Sequence, residues 1–124
     1  MMNKILVLTD FSENARNAIH YALQAFPPDT FSYILLHCYP RVITFGDNII
    51  SLSERMRDES YEALNQEEKL ISEQAGREIV FEKKAYLGFL NEAVNAMAEM
   101  YTPDLIVMGT KGETGLPVER RTGR

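Results

Sequence analysis

The chain has few of the Cys and His residues that form disulfides or bind metal ions, and it has no long apolar segment that could span a membrane. Its 124 residues include one cysteine, two histidines and no tryptophan. The lone Cys38 cannot form an internal disulfide, and the sequence has neither the ligand spacing of a zinc site nor a Cys-x-x-Cys pair. No apolar run approaches the ~18 residues of a transmembrane helix, and no signal peptide is recognisable. These absences predict a cytoplasmic protein with no membrane contact.

Positive charge is also scarce. Thirteen Lys and Arg residues stand against 18 Asp and Glu residues, which gives a formal net charge of −5 and argues against a nucleic-acid partner or an anionic membrane. The 45% hydrophobic and 25% charged content is typical of soluble globular proteins. Together with the length, this composition predicts a single domain over residues 1–124.

Short apolar segments alternate with helical patterns along the whole chain. Strands are predicted at residues 5–8, 31–39, 79–84 and 105–108, the third turning polar after Phe81. Helices are predicted at residues 15–26, 53–74 and 90–101, with Pro27 ending the first and Gly76 placed as the residue after the second. Residues 41–48 have no clean period and are predicted as a loop.

Alternation of this kind predicts a parallel sheet with right-handed crossovers and helices on both faces, an α/β/α architecture of three layers. In such sheets, ligands bind beyond the carboxyl ends of the strands, where the strand order reverses. For the order 3-2-1-4, the reversal lies between strands 1 and 4. Asp10, after strand 1, and residues 109–112, after strand 4, are then expected to face each other across one crevice.

Several enzyme classes are excluded by missing motifs. The turn after the first strand reads Thr-Asp-Phe-Ser where a dinucleotide-binding fold needs a glycine-rich phosphate turn, and no Walker A sequence is present. The third strand lacks the phosphate-accepting Asp of a receiver domain, and no G-x-S-x-G elbow occurs. His20 and His37 are predicted to be structural, and Cys38 to be a buried, inert thiol. No set of nucleophile, base and orienting residue is found, so no reaction is predicted.

With these enzyme classes excluded, the residues still allow a function in ligand binding. Asp10 can accept hydrogen bonds from a base or sugar, or it can simply cap the first helix. The backbone N–H groups of residues 109–112 can hold phosphates, or the glycines can merely turn the chain. Lys111 can add a positive charge, or it can be a solvated loop residue.

Three ordered segments resemble the universal stress protein (UspA-like) family. Residues 3–21, with Ile-Leu-Val-Leu-Thr-Asp-Phe-Ser followed by Ala15 and Ala18, are similar to its opening. The Leu-Leu-His-Cys segment at 35–38 resembles its second strand. Residues 104–112, with Gly115 and Leu116, resemble its most recognisable segment. The similarity covers nearly the whole chain.

The resemblance implies a Rossmann-like fold of the adenine-nucleotide alpha hydrolase type, usually dimeric, in which some members bind ATP, with magnesium, and others bind no nucleotide. In ATP-binding relatives, the aspartate matching Asp10 and the backbone matching Cys38 hold the adenosine, and the glycines matching Gly109 and Gly112 hold phosphates. Hydrolysis, if any, would be slow. The contact residues predicted on this basis are Thr9, Asp10, Cys38, Met108, Gly109, Lys111 and Gly112.

The end of the chain departs from the family pattern. The pattern requires a glycine at position 122 and a hydroxyl residue at 123, whereas the chain has Thr122 and Gly123. Relatives also continue through a fourth helix into a fifth strand, and we expect both to be missing because the chain is a truncated or partial product of a longer or tandem protein. Strand 4 is then a sheet edge that a second copy should cover. The alternative to a nucleotide-responsive stress protein is an interaction module of the same fold that binds no nucleotide.

Overall fold

A computed structural model describes residues 3–40 and 49–109 of the chain. Strands and helices alternate through these residues, as the sequence predicts. The seven elements are β1 (Asn3–Leu8), α1 (Glu13–Ala25), β2 (Phe31–Tyr39), α2 (Ile49–Ala75), β3 (Glu82–Leu87), α3 (Leu90–Tyr101) and β4 (Leu105–Met108). The predicted loop at 41–48 and every prediction beyond Gly109, including that of a missing fifth strand, lie outside the described residues.

The four strands form one parallel sheet in the order β3-β2-β1-β4. This confirms the predicted topology and places β1 between β2 and β4. The register aligns Leu8 with both Leu36 and Met108, so the carboxyl ends of these three strands lie side by side. The strand order reverses between β1 and β4, because the chain progresses from β1 to β3 on one side of β1 and returns to its other side with β4.

The sheet has a hydrophobic core on each face, because consecutive side chains of a strand point to opposite sides. On one face, Ile5 and Val7 of β1 pack with Ile19 of α1 and with Leu64 and Ile71 of α2. On the other face, side chains of β1 and β2 pack against α3; this second cluster comprises Leu6, Leu8, Ile34, Leu36, Ala93 and Met97. The three predicted layers are therefore confirmed, with α1 and α2 on one side and α3 on the other.

The third strand begins later than predicted. Ile79 and Phe81 are buried, but their backbone groups bond to α2 and not to the sheet. The Ser72 hydroxyl accepts from Ile79 N–H at 2.9 Å and donates to Ile79 C=O at 3.2 Å, and Glu68 Oε2 accepts from Phe81 N–H at 2.8 Å. Pairing with β2 starts only at Glu82. The apolar residues that suggested a strand thus form a connection in which Ile79 and Phe81 are buried and Val80 is exposed.

A capping serine before α1 and the predicted glycine after α2 lie at the helix ends, but α2 begins earlier than predicted. Helix α1 is capped by Ser12, whose hydroxyl accepts from Ala15 N–H at 3.1 Å. Helix α2 begins at Ile49, before the predicted position 53, and is followed by Gly76 in the left-handed conformation (φ 76°). Within residues 3–40 and 49–109, no helix combines the length and apolar character needed to cross a membrane.

Candidate functional site

A cavity of about 170 Å³ opens beyond the carboxyl ends of β1, β2 and β4. Five of the seven predicted contact residues line it, namely Thr9, Asp10, Cys38, Met108 and Gly109. The two remaining predicted contact residues, Lys111 and Gly112, and the tail with Thr122 and Gly123 lie outside the described residues. The ends of the first and last described strands therefore meet in one cavity, at the position where the strand order reverses.

The turn from β1 into α1 is held by its own side chains. Thr9 N–H donates to Leu36 C=O at 2.9 Å, which continues the sheet by one residue. Phe11 N–H donates to Thr9 Oγ1 at 2.9 Å, and Ser12 N–H donates to Asp10 Oδ1 at 3.0 Å. Polar side chains that bond the backbone two residues on form turns of this kind.

Asp10 does not cap the helix. The N-cap is Ser12, and Asp10 lies two residues earlier, with an exposed side chain at the cavity. An ionised carboxylate has two oxygens and can accept several hydrogen bonds, and Ser12 N–H donates one of them here. The helix-cap reading of Asp10 is therefore wrong, and its carboxylate is oriented by the turn that it closes.

His37 contacts the same turn from β2. Its Nδ1 lies 2.9 Å from Thr9 C=O, and its ring centroid lies 4.3 Å from that of Phe11. A carbonyl only accepts hydrogen bonds, so Nδ1 carries a proton and donates it to Thr9 C=O. These contacts agree with the predicted structural role, but His37 also lines the cavity, which the sequence reasoning missed. The signal was its place beside Cys38 at the end of the second strand.

Cys38 is half-buried at the cavity wall. Burial raises the pKa of its thiol, because removing water disfavours the charged thiolate. A thiol of raised pKa is a poor nucleophile at neutral pH. The thiol is thus less buried than predicted, its raised pKa supports the prediction that it is inert, and any part in binding falls to its backbone and its packing.

The remaining walls are mainly apolar. They come from all three layers and were not predicted as site residues; they are Leu8, Ala15, Leu36 and Leu90. Leu90 is the first residue of α3 and follows the predicted chain break at Gly88, so its proximity to the strand ends could have been read from the topology. Among the described lining residues, Asp10 alone carries a carboxylate, and there is no Lys or Arg.

This arrangement suits a small ligand that is partly apolar and partly polar. Apolar side chains with few fixed polar groups are typical of ligand sites, whose usual volume is about 300–1,000 Å³. At about 170 Å³, the cavity accommodates one part of such a ligand. Within the described part of the chain, no group of three or more His, Cys, Asp or Glu side chains is placed to hold a metal ion.

Solved structures share this fold. Hypothetical protein MJ0577 is 28% identical, with a TM-score of 0.68, covering 94% of this chain and 80% of its own. A universal stress protein family member from Burkholderia pseudomallei is 21% identical, with a TM-score of 0.66 and coverage of 87% and 81%. A universal stress protein in complex with cAMP is 20% identical, with a TM-score of 0.61 and coverage of 86% and 75%. At 20–21% identity, the latter two structures show that the fold is shared.

Sequence comparison gives the family directly. No curated protein sequence matches the chain. The model of the universal stress protein family, in contrast, matches residues 1–117, which is nearly the whole length. This agrees with the resemblance carried by the three sequence segments and with the strand order of the sheet. The chain belongs to the universal stress protein family.

Proposed function

We propose that this protein binds an adenine nucleotide, such as ATP, and acts in the cytoplasm as a stress-response regulator through a dimer or partner equilibrium. One observation carries the proposal: Thr9, Asp10, Cys38, Met108 and Gly109, chosen from sequence as nucleotide contacts, all line one cavity. The cAMP complex of a structural neighbour supports the choice of an adenine nucleotide. No catalytic role is assigned to any residue.

The cavity suits the adenosine part of such a ligand. A purine ring would pack between apolar walls such as Leu36, Leu90 and Met108. Asp10 would accept hydrogen bonds from sugar hydroxyls or from an exocyclic amine, and a charged acceptor makes such bonds roughly twice as strong as neutral ones. The small volume and the lack of a described Lys or Arg lining residue agree with a nucleoside at this end.

The phosphates would extend along the chain after β4. Gly109 begins this segment, and the backbone N–H groups of residues 109–112 with the Lys111 ammonium would hold the phosphate oxygens. Magnesium would arrive with the triphosphate and coordinate its oxygens. Comparing the affinities for adenosine and for ATP would therefore separate the contribution of the cavity, which holds the adenosine, from that of residues 109–112, which hold the phosphates.

Calorimetric titration of the purified chain with adenosine, cAMP, AMP and ATP with magnesium tests the proposal. Asp10→Asn keeps the size of the side chain but removes its charge. We therefore expect the dissociation constant of the variant for these ligands to be about tenfold higher than that of the wild type, equivalent to about 1.4 kcal/mol. The matched control is Asp104→Asn. Asp104 precedes β4 at the opposite end of the strand and accepts from Lys4 N–H at 3.0 Å, so its loss of charge should change binding less than about twofold.

Absorbance of the fresh protein gives an independent check. The chain has no tryptophan, so bound nucleotide would give a clear excess at 260 nm over 280 nm. A chain that carries no nucleotide and gives no heat with any of the four ligands would overturn the proposal. The function would then be that of an interaction module with the same fold.

We also propose that a second copy covers the outer edge of β4. The two outer strands of the described sheet, β3 and β4, differ in how well they are protected against pairing with a further strand. β3 carries Lys83 and Lys84, whose charges discourage further pairing, whereas β4 has no charged residue and leaves Ile106 and Met108 41% and 43% exposed. Within residues 3–40 and 49–109 no strand pairs with this edge of β4, and an unpaired, apolar edge is a template for strand addition.

Light scattering after size exclusion tests the dimer. We expect twice the chain mass of 14.2 kDa. Ile106→Lys places a charge beside the β4 edge and should shift the equilibrium toward monomer. The control Val80→Lys replaces another exposed apolar residue, in the connection before β3, and should leave the mass unchanged. A wild-type monomer at high concentration would contradict the dimer without affecting the nucleotide proposal.

A further inference from the structure

Arg16 connects the turn of the candidate site to helix α2, through a residue that lies 51 positions further along the chain. Its Nε donates to Glu67 Oε2 at 2.7 Å, and its Nη2 donates both to Glu67 Oε1 at 3.1 Å and to Phe11 C=O at 3.2 Å. The two side chains are only 16% and 5% exposed. A guanidinium fork that binds both carboxylate oxygens has a fixed orientation, so its third bond to the Phe11 carbonyl is fixed as well.

The Phe11 carbonyl belongs to the same peptide plane as the Ser12 N–H. That plane is therefore bound on both sides: its C=O accepts from Arg16, and its N–H donates to Asp10 Oδ1 at 3.0 Å. A peptide unit is planar, so its C=O and N–H rotate together. Rotation of this unit would break the bond to Arg16 and the bond to Asp10 at once.

The local backbone does not hold this plane without help. Phe11 has φ 66°, in the left-handed region that is disfavoured for a residue with a Cβ atom. Such a conformation persists where surrounding contacts impose it. Contacts of this kind here include the Arg16 bond to the Phe11 carbonyl, the bond from Phe11 N–H to Thr9 Oγ1 at 2.9 Å, and the packing of the Phe11 ring on His37, 4.3 Å between centroids.

We propose that Arg16, held by Glu67, is a positioning residue that orients the Asp10 carboxylate at the cavity by fixing the Phe11–Ser12 peptide. The effect on ligand affinity rests on the proposed nucleotide binding. The effect on the turn itself does not, because it concerns the protein without ligand. The two parts are therefore tested separately.

The chain offers a matched control for a purely stabilising ion pair. Lys83 Nζ lies 2.8 Å from Glu68 Oε1, and these side chains are 24% and 19% exposed. This pair also joins α2 to another element, but that element is β3 and neither residue lines the cavity. Replacing Lys83 should cost stability without changing the turn.

Nuclear magnetic resonance of the ligand-free protein tests the positioning. Arg16→Lys keeps a charge for Glu67 and loses the fork, and Arg16→Met removes the charge; the first variant serves if the second fails to fold. We expect both to shift the amide signal of Ser12 and the carboxyl-carbon signal of Asp10, and Lys83→Met to leave both unchanged. Unchanged signals in a folded Arg16 variant would overturn the inference.

Titration with adenosine and ATP then tests the consequence for binding. We expect the dissociation constant to rise at least fivefold in Arg16→Lys and less than twofold in Lys83→Met, even where denaturation gives the two variants equal stability. Equal affinities in the two variants would overturn the inference. If the wild-type chain binds neither ligand, the proposed function fails, and the resonance signals still decide whether Arg16 orients Asp10.

Discussion

Gly109 lies against the first turn of α1, so that a Cβ atom built on it would be 2.6 Å from the backbone oxygen of Asn14. The same atom would be 3.0 Å from Ala15 Cα. Real Cβ atoms do not approach backbone so closely, which explains why this position is a glycine. The contact joins the end of β4 to the start of α1, and both Ala15 and Gly109 line the cavity.

Gly109→Ala should destabilise the protein by about 1–3 kcal/mol, because the added methyl group must push β4 and α1 apart. Urea denaturation measures the change. Gly76→Ala is the comparison. Position 76 has φ 76°, but apart from its chain neighbours no heavy atom of the described residues lies within 4 Å of a built Cβ, so only the backbone conformation is strained, at about 1 kcal/mol. Gly76→Asn should cost less still, since Asn adopts this conformation more readily. A Gly109→Ala variant as stable as the wild type would contradict the close contact.

Ser72→Ala should cost about 1–3 kcal/mol, because one hydroxyl serves both backbone groups of the buried Ile79. Ser72→Thr keeps the hydroxyl and should lose much less. Thermal or chemical unfolding of the two variants makes the comparison. Equal losses would show that the hydroxyl is not the source of the stabilisation.

Tyr33 gives a prediction about alkaline pH. Its hydroxyl has one hydrogen, which is shared between the backbone oxygens of Phe26 at 2.6 Å and Ala22 at 3.0 Å, and burial raises its pKa from 10.0 to about 12. The folded state therefore keeps the proton when the unfolded chain has lost it. The stabilisation is complete below pH 10 and is lost as the pH rises toward 12, by about 1 kcal/mol at pH 11.

Tyr33→Phe should lower the unfolding free energy by roughly 1–2 kcal/mol at pH 8, since the Phe26 carbonyl loses the hydroxyl donor, while Ala22 C=O keeps its bond from Phe26 N–H at 2.7 Å. This difference from the wild type should narrow between pH 10 and 11, because the variant has no hydroxyl to titrate. Urea denaturation at each pH measures it. A constant difference across this range would mean that the tyrosine does not titrate differently in the folded protein.

Cys38 should react slowly in the native protein. Its raised pKa lowers the thiolate fraction, so alkylation at pH 8 is expected to be at least about tenfold slower than in the urea-unfolded chain. The chain has one cysteine, so mass spectrometry reads the modification without ambiguity. If the cavity holds a nucleotide, its addition should slow the reaction further; equal rates in folded and unfolded protein would contradict the burial of the thiol.

The sequence by itself determined the architecture. The apolar stripe of α1, with Ala15, Ile19 and Ala22 buried, required a helix packed on one face. The short apolar segments between helices required a parallel sheet covered on both sides. Both patterns repeat over a few neighbouring residues, so they can be read without knowing what packs against them. The meeting of Asp10 and Gly109 follows from the strand order.

Only the tertiary structure decided how the ends of these elements are bonded. The connection at Ile79 lies outside the sheet because a hydroxyl of α2 binds its backbone. The orientation of Asp10 depends on a peptide plane held by Arg16, which is itself fixed by Glu67, 51 residues further along the chain. Hydrogen bonds between side chains so far apart leave no periodic pattern in the sequence, because each partner is polar for a reason that exists only once the chain has folded.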